Sequence, residues 1–297
     1  MLAGCGSATA PAPRTSAIET GLVLLSLHDG AQLGAATLGL DPVAITVSSD
    51  GRTAYVADSS PGDVYAVSVP ALTVIWRQHV GGSPFGLLLH SGHLFVSLFA
   101  AKAVLELEPS SGARIASHPV PAGPAVLGVD GMHRVMVAGR QGSLTYLDGA
   151  SRPAGWGFAF AISGNDVWTE DYDHSFLQRV PDGHRVNLPL RVHPFWVAPG
   201  RPGKLLVSAE GSDEDADPGA VFEFDVMSET FITLARPRDP DQVLRSGSQV
   251  LIAAHGDREV LAIEGTQTQV WARGAPAVAL AAVPGMDATL VVVNGHE

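Results

Sequence analysis

Seven times along this chain a short apolar run breaks at an X-Gly pair and resumes as a second apolar run. The pairs are Asp50-Gly51, Ser91-Gly92, Asp130-Gly131, Ser163-Gly164, Pro202-Gly203, Ser246-Gly247 and Pro284-Gly285. Each stands where a tight hairpin needs a residue that tolerates φ > 0. The spacing averages about 39 residues, room for four short strands and their turns, and one such unit cannot bury its own apolar faces. Arranged radially in a ring, each sheet is covered by its two neighbours. The repeat therefore predicts an all-β fold, a seven-bladed β-propeller of four-stranded blades.

The first full unit shows its runs at Val43 to Val47, Thr53 to Ala57, Val64 to Val69 and Thr73 to His79, with turn residues between them. Later units open at Pro84, Pro124, Trp156, Pro194, Pro240 and Pro276. A proline ahead of an inner strand costs no ladder hydrogen bond. Second strands such as Leu94-Phe95-Val96 and Leu290-Val291-Val292-Val293 are continuously apolar, the pattern of strands covered on both faces. The last unit has room for only two strands, while Gly21 to Leu27 and Gln32 to Leu38 precede the first full unit. The two ends are expected to complete one blade, leaving no open terminal sheet. Unit three is short, and its outer strand near Arg152-Pro153 is expected to be vestigial. The domain reading is a leader and flexible linker over 1–16 and a propeller over 17–297.

Composition excludes several functions. A hydrophobic fraction of 46% with only 16% charged residues suits sheets packed between sheets. A formal net charge of −12, with no Lys/Arg cluster to override it, opposes a phosphate backbone, so no nucleic-acid partner is expected. No apolar run reaches the roughly 18 residues that a membrane-spanning helix needs. A monomer is expected.

The single cysteine, Cys5, follows Leu2-Ala3-Gly4 and precedes a stretch rich in Ala, Ser and Pro. This resembles a bacterial lipobox with its tether, which implies acylation at Cys5 and a lipid-anchored, extracytoplasmic place in the cell envelope. Only Met1 stands before Leu2, so this expectation requires a start upstream of Met1; with Met1 as the true start the chain is expected in the cytoplasm. Without a second cysteine there is no internal disulfide in either compartment.

The unit from Pro42 through Asp50-Gly51 to Tyr55-Val56-Ala57-Asp58 resembles the YVTN-type propeller repeat, with Ser49 and Asp58 standing where that family has proline and asparagine. Asp166-Val167-Trp168-Thr169-Glu170 is similar to the repeat of streptogramin-lyase-like propellers. Both families include enzymes and binding proteins, so the resemblance implies a fold and leaves the activity open. The lyase family's metal ligands have no residue-by-residue match here.

In a propeller, the loops entering the first strands and those joining second to third strands meet on one face, which we call the top. That register places Asp41, Arg140, Trp156, His193, Phe195, Trp196, Asp239 and Asp241 there, with the loops Glu170 to His174, Glu210 to Asp217 and His255 to Arg258. His174, His193 and His255 with Glu210 form the candidate ligand set for a divalent cation (Mg, Ca or Zn), and Glu170 or Asp171 is the candidate base. The bland alternative is a polar rim, since the chain has 11 histidines and several fall on other loops. Asp213, Asp215 and Asp217 alternate as calcium ligands do, although the loop lacks the EF-hand glycine and terminal glutamate. A solvated acidic insertion is the competing reading.

Arg140, Trp156, Trp196 and Asp241 are the candidate ligand-binding residues. Trp156, Phe158 and Phe160 alternate along the expected inner strand of unit four, and such aromatic residues more often fill the axis and wedge between blades than stack a ligand. The leading expectation is a membrane-tethered propeller binding a protein or small molecule on its top face. A metal-dependent lactonase or lyase is the enzymatic alternative, and an axis plugged by Trp156, Phe158 and Trp196 would mark a purely structural repeat.

Overall fold

The computed structural model describes residues 14–15, 18–121, 123–180, 182–212 and 217–295. Cys5, Asp213 and Asp215 lie outside them. The described chain forms seven antiparallel sheets of four strands, each running from an inner to an outer strand. Blade one comprises Pro42–Val47, Thr53–Asp58, Asp63–Ser68 and Val74–His79, within two residues of the runs read from the sequence. The inner strands of blades two to six are Pro84–His90, Pro124–Val129, Phe160–Ser163, His193–Pro199 and Pro240–Ser246. Among the described residues there is no helix, and so none long and apolar enough to cross a membrane.

Blade seven closes the ring as expected. Its strands in order are Ala277–Ala282, Ala288–Asn294, Thr20–Ser26 and Gln32–Thr37, so both ends of the propeller share one sheet. Thr20–Ser26 pairs along its whole length with Ala288–Asn294, from Thr20↔Asn294 to Ser26↔Ala288. Strand alternation then sends Leu22 and Leu24 toward Val56 and Val67 of blade one, and Val23 and Leu25 toward Leu251 and Ala253 of blade six. All four are essentially fully buried, each worth about 1.5–3 kcal/mol of burial. Two apolar faces on one strand are why the sequence shows no alternation there.

Six of the seven X-Gly glycines have positive φ; Gly131 does not, and His133 takes the left-handed conformation instead. The Asp130 carboxylate sets that turn by accepting hydrogen bonds from the backbone N–H groups of Met132 and Arg134 and from the Arg134 guanidinium. Blade three ends in the three-residue, exposed Ser151–Pro153. The linker expected to be flexible through residue 16 is joined to the fold at Arg14–Thr15, which adds a parallel fifth strand to the outer edge of blade six against Ala272 and Arg273.

Blade four departs from expectation. Its inner strand begins at Phe160, so Trp156 and Phe158 lie in a loop and not on the strand. Side chains of the second strand, Asp166–Asp171, take up the loop's N–H groups in place of the ladder. Thr169 Oγ1 accepts from Gly155, Asp171 Oδ2 from Trp156, and Glu170 Oε1 from Phe158 and Ala159.

Candidate functional site

The first-strand entries and second-to-third-strand loops of blades four to seven surround a cavity of about 590 Å³ on the top face. Its two walls differ in chemistry. One is acidic: Glu210 ends the second strand of blade five, Asp239 immediately precedes the inner strand of blade six, and Asp241 is the second residue of that strand. One carboxylate oxygen from each lies within 4.8 Å of the other two. Glu210 and Asp241 are buried, Asp239 half-buried.

These carboxylates are held from behind. Tyr172 Oη donates to Glu210 Oε2 at 2.5 Å. His255 bridges Asp239 and the closing blade: its Nε2–H donates to the Asn294 carbonyl at 3.0 Å, and Nδ1 faces Asp239 Oδ2 at 3.0 Å. Asn294 in turn donates from Nδ2 to Asp41 Oδ1 at 2.8 Å. Arg258, at the rim, pairs with Glu19. The site is thereby tied to the junction where the two ends of the propeller meet.

The other wall is aromatic. Phe158 packs on Phe195 with ring centroids 5.0 Å apart and meets Tyr172 edge-on at 5.9 Å. Phe85 and Phe99 of blade two stack behind Phe158. Arg140 lies over both the Phe158 and Tyr172 rings at 5.2 Å. Its guanidinium forks onto Asp173 and donates to the Trp156 carbonyl, and this pairing holds the Asp173 carboxyl below its ordinary range.

Beneath the Phe158 loop, Glu170 is fully buried. Burial pushes its carboxyl up to about 8, against the opposing N–H groups of Ala159 and Phe158 and the charge of Arg140. Oε2 has no hydrogen-bond partner among the described residues, an arrangement better tolerated by a neutral carboxylic acid than by a carboxylate.

The expected ligand set is not gathered. His174 is largely exposed, its Nδ1 on Asp171 Oδ1 at 2.8 Å. His193 stacks on Tyr172 and donates from Nδ1 to the Tyr172 carbonyl at 2.9 Å. His255 reaches the cavity but spends its ring nitrogens on Asp239 and Asn294. Among the described residues the group close enough to share an ion is Glu210, Asp239 and Asp241, so of the four expected ligands Glu210 alone belongs to it.

Neither candidate base lines the cavity. Asp171 caps the turn through the His174 and Trp156 amides, and Glu170 sits under the loop. Trp196 packs against both the core between blades four and five and the core between blades five and six, while Trp156 is half exposed. Asp217 accepts a hydrogen bond from Ser212 on the exposed loop. Asp241, Asp239 and Phe195 stand where the repeat register placed them. Tyr172 was legible only as a member of the loop Glu170 to His174, and Phe158 only as a residue of the expected inner strand, because the irregular entry to blade four shifts their positions.

Chemically, the acidic group offers hard oxygen donors, the kind that suits Mg or Ca better than Zn. No protein family and no curated protein matches the sequence. Solved structures do match in fold. A streptogramin B lyase structure superposes with a TM-score of 0.71 at 12% identity, covering 92% of this chain and 98% of that one. A candidate 6-phosphogluconolactonase from Bacteroides fragilis gives 0.65 at 11%, covering 87% and 95%. BamB from Moraxella catarrhalis gives 0.57 at 14%, covering 96% and 95%. At such identities the likeness is one of fold alone.

Proposed function

We propose that this propeller is a binding scaffold whose top-face cavity captures a small molecule. The observation that supports it is the juxtaposition of an aromatic wall and an acidic wall across about 590 Å³, a size and mixture typical of ligand sites. The rings supply contact area and the carboxylates orientation. Ligand-observed NMR on a mixed fragment set tests this. Binding signals that disappear in both Phe195→Ala and Asp241→Asn are expected, and a set in which no signal depends on these residues overturns the reading.

A metal-dependent lactonase or lyase is the second reading, favoured by the three carboxylates within 4.8 Å of one another. Glu210, Asp239 and Asp241 would hold a divalent cation, which when bound supplies polarisation of a carbonyl oxygen. Metal analysis of unchelated protein, with lactone and ester turnover, tests it: stoichiometric Mg or Ca lost in Asp241→Asn supports the enzyme, and metal-free, inactive protein removes it. The Leu2-Ala3-Gly4-Cys5 resemblance also supports a proposed lipid anchor. Acyl labelling in a bacterial host, abolished by Cys5→Ser, is the expected result; an unlabelled protein in the soluble fraction contradicts it.

A further inference from the structure

We infer that a proton on Glu170 holds Phe158 in the cavity wall, so that Glu170 is a positioning residue of the ligand site and loss of that proton takes the wall apart. This rests on the reading of the cavity as a small-molecule site and adds its regulation.

The chain fastens an entry loop with a buried carboxyl in two blades. In blade one, Asp58 at the end of the second strand accepts the N–H groups of Leu40 and Asp41, directly before Pro42 opens the inner strand. In blade four, Glu170 accepts those of Phe158 and Ala159, directly before Phe160. A glycine precedes each pair of donors, Gly39 and Gly157, and a Cβ on either would run into the carboxyl. The two clasps differ in one respect. Asp58 has a donor at both oxygens, since the Leu40 N–H lies 3.2 Å from Oδ1 and from Oδ2. Glu170 takes both donors on Oε1, and its buried Oε2 has none among the described residues.

That difference makes the blade-four clasp sensitive to charge. A neutral acid leaves a hydroxyl at Oε2 without a partner, a moderate cost, whereas a carboxylate leaves part of a full charge there with no donor. Burial therefore pushes the carboxyl up to about 8, against the N–H groups of Ala159 and Phe158 and the charge of Arg140, with Asp171 adding to the rise. Water at Oε2 relieves the ionised group, and the backbone packed on Oε2 is that of Gly157. Admitting water displaces Gly157, and Phe158 follows as its neighbour in the chain. The closed position is well defined, because the Phe158 ring packs with Phe195, Tyr172, Phe85 and Phe99. The loop is thus an element with two places, and one proton biases it between them.

The charged groups acting on Glu170 are Arg140, which reaches it from blade three and is paired with Asp173, and Asp171 on its own strand. Tyr172, His193 and Glu210 are further titratable groups on this side of the cavity. Glu170→Gln separates their titration from that of Glu170, since glutamine keeps an acceptor oxygen and cannot ionise.

The test is ¹⁹F NMR on the full chain carrying 4-fluorophenylalanine at position 158, followed from pH 6 to 9.5, with the same label at position 224 in the buried core as the reference for global unfolding. The expected result is a signal at position 158 that moves toward that of a solvated ring with a midpoint near pH 8, a constant signal at position 224, and no movement at either in Glu170→Gln. The wild-type contrast between the two positions stands even if the variant fails to fold. A signal at position 158 that is constant, or that titrates equally in Glu170→Gln, overturns the inference. Neutral members of the fragment set are then titrated at pH 6.5 and 9. Binding about tenfold weaker at pH 9 is expected, because apparent affinity falls with the competent fraction. Equal affinity at the two values overturns the regulation. Fragments bound at neither pH, with position 158 still titrating, overturn the small-molecule reading and leave the movement of Phe158 standing.

Discussion

A Cβ built on Gly157 would overlap Oε2 of Glu170, so the buried carboxyl occupies the space that only a glycine leaves open. The loop carrying Phe158 is thus clamped from both sides, by its N–H groups on Oε1 and by its missing side chain over Oε2. Gly157→Ala is expected to push the carboxyl out and destabilise the fold by about 3 kcal/mol, the upper range for overpacking. Urea unfolding measures it, and a change under about 0.5 kcal/mol, that of an ordinary surface substitution, would show that the loop yields freely.

Glu170 also sets a pH dependence. Its carboxyl is pushed up to about 8 in the folded chain, against 4.5 for the ordinary group. Between these values the native state holds a proton that the unfolded state has released, so unfolding becomes easier as pH rises. This contribution is complete below pH 4.5, declines through the window and levels off above about pH 8. The slope reaches up to about 1.4 kcal/mol per pH unit. Glu170→Gln should flatten stability between pH 5 and 8 in urea titrations; an unchanged slope would place the titrating group elsewhere.

Ring closure gives a third expectation. Deleting residues 1–39 leaves blade seven with only Ala277–Ala282 and Ala288–Asn294, and exposes the partners of Leu22 to Leu25. Cooperative thermal unfolding, followed by circular dichroism, should be lost. Deleting residues 1–17 removes, among the described residues, the short pairing at Arg14–Thr15 and should move the melting temperature by no more than about 3 °C. Within the intact chain Leu24→Ala is expected to cost about 3 kcal/mol.

Arg140 holds the Phe158 loop from outside, through two rings, the Trp156 carbonyl and Asp173. Arg140→Ala should cost about 1–2 kcal/mol and speed amide exchange across residues 154–159. Arg140→Lys keeps the charge but not the planar fork and should recover less than half of the loss. Full recovery with lysine would reduce the role of Arg140 to charge alone.

The fold was legible because its rules are local and repeated: X-Gly turns, proline before inner strands, and apolar runs that recur blade after blade. Even the shared blade could be read, since two strands were missing at one end and present at the other. The top face was legible by position, and the grouping of its side chains was not. Register placed Phe195, Glu210, Asp239, Asp241 and His255 on the top face. It could not show that His255 turns both nitrogens to Asp239 and Asn294, or that Glu170 points under a loop, because those contacts cross between elements far apart in sequence. Phe158 was taken for a strand residue because nothing in its local pattern reveals that Glu170, twelve positions later, captures its N–H.

The central claim is that a small molecule binds between the aromatic and acidic walls of the top face, and a crystal structure of the protein soaked with a fragment that gives a binding signal in solution tests it most directly. The account predicts the fragment in the top-face cavity, against Phe158 and Phe195 on one side and Asp239 and Asp241 on the other. A cavity filled by solvent alone at saturating fragment, or the fragment held at another place on the ring, would contradict it.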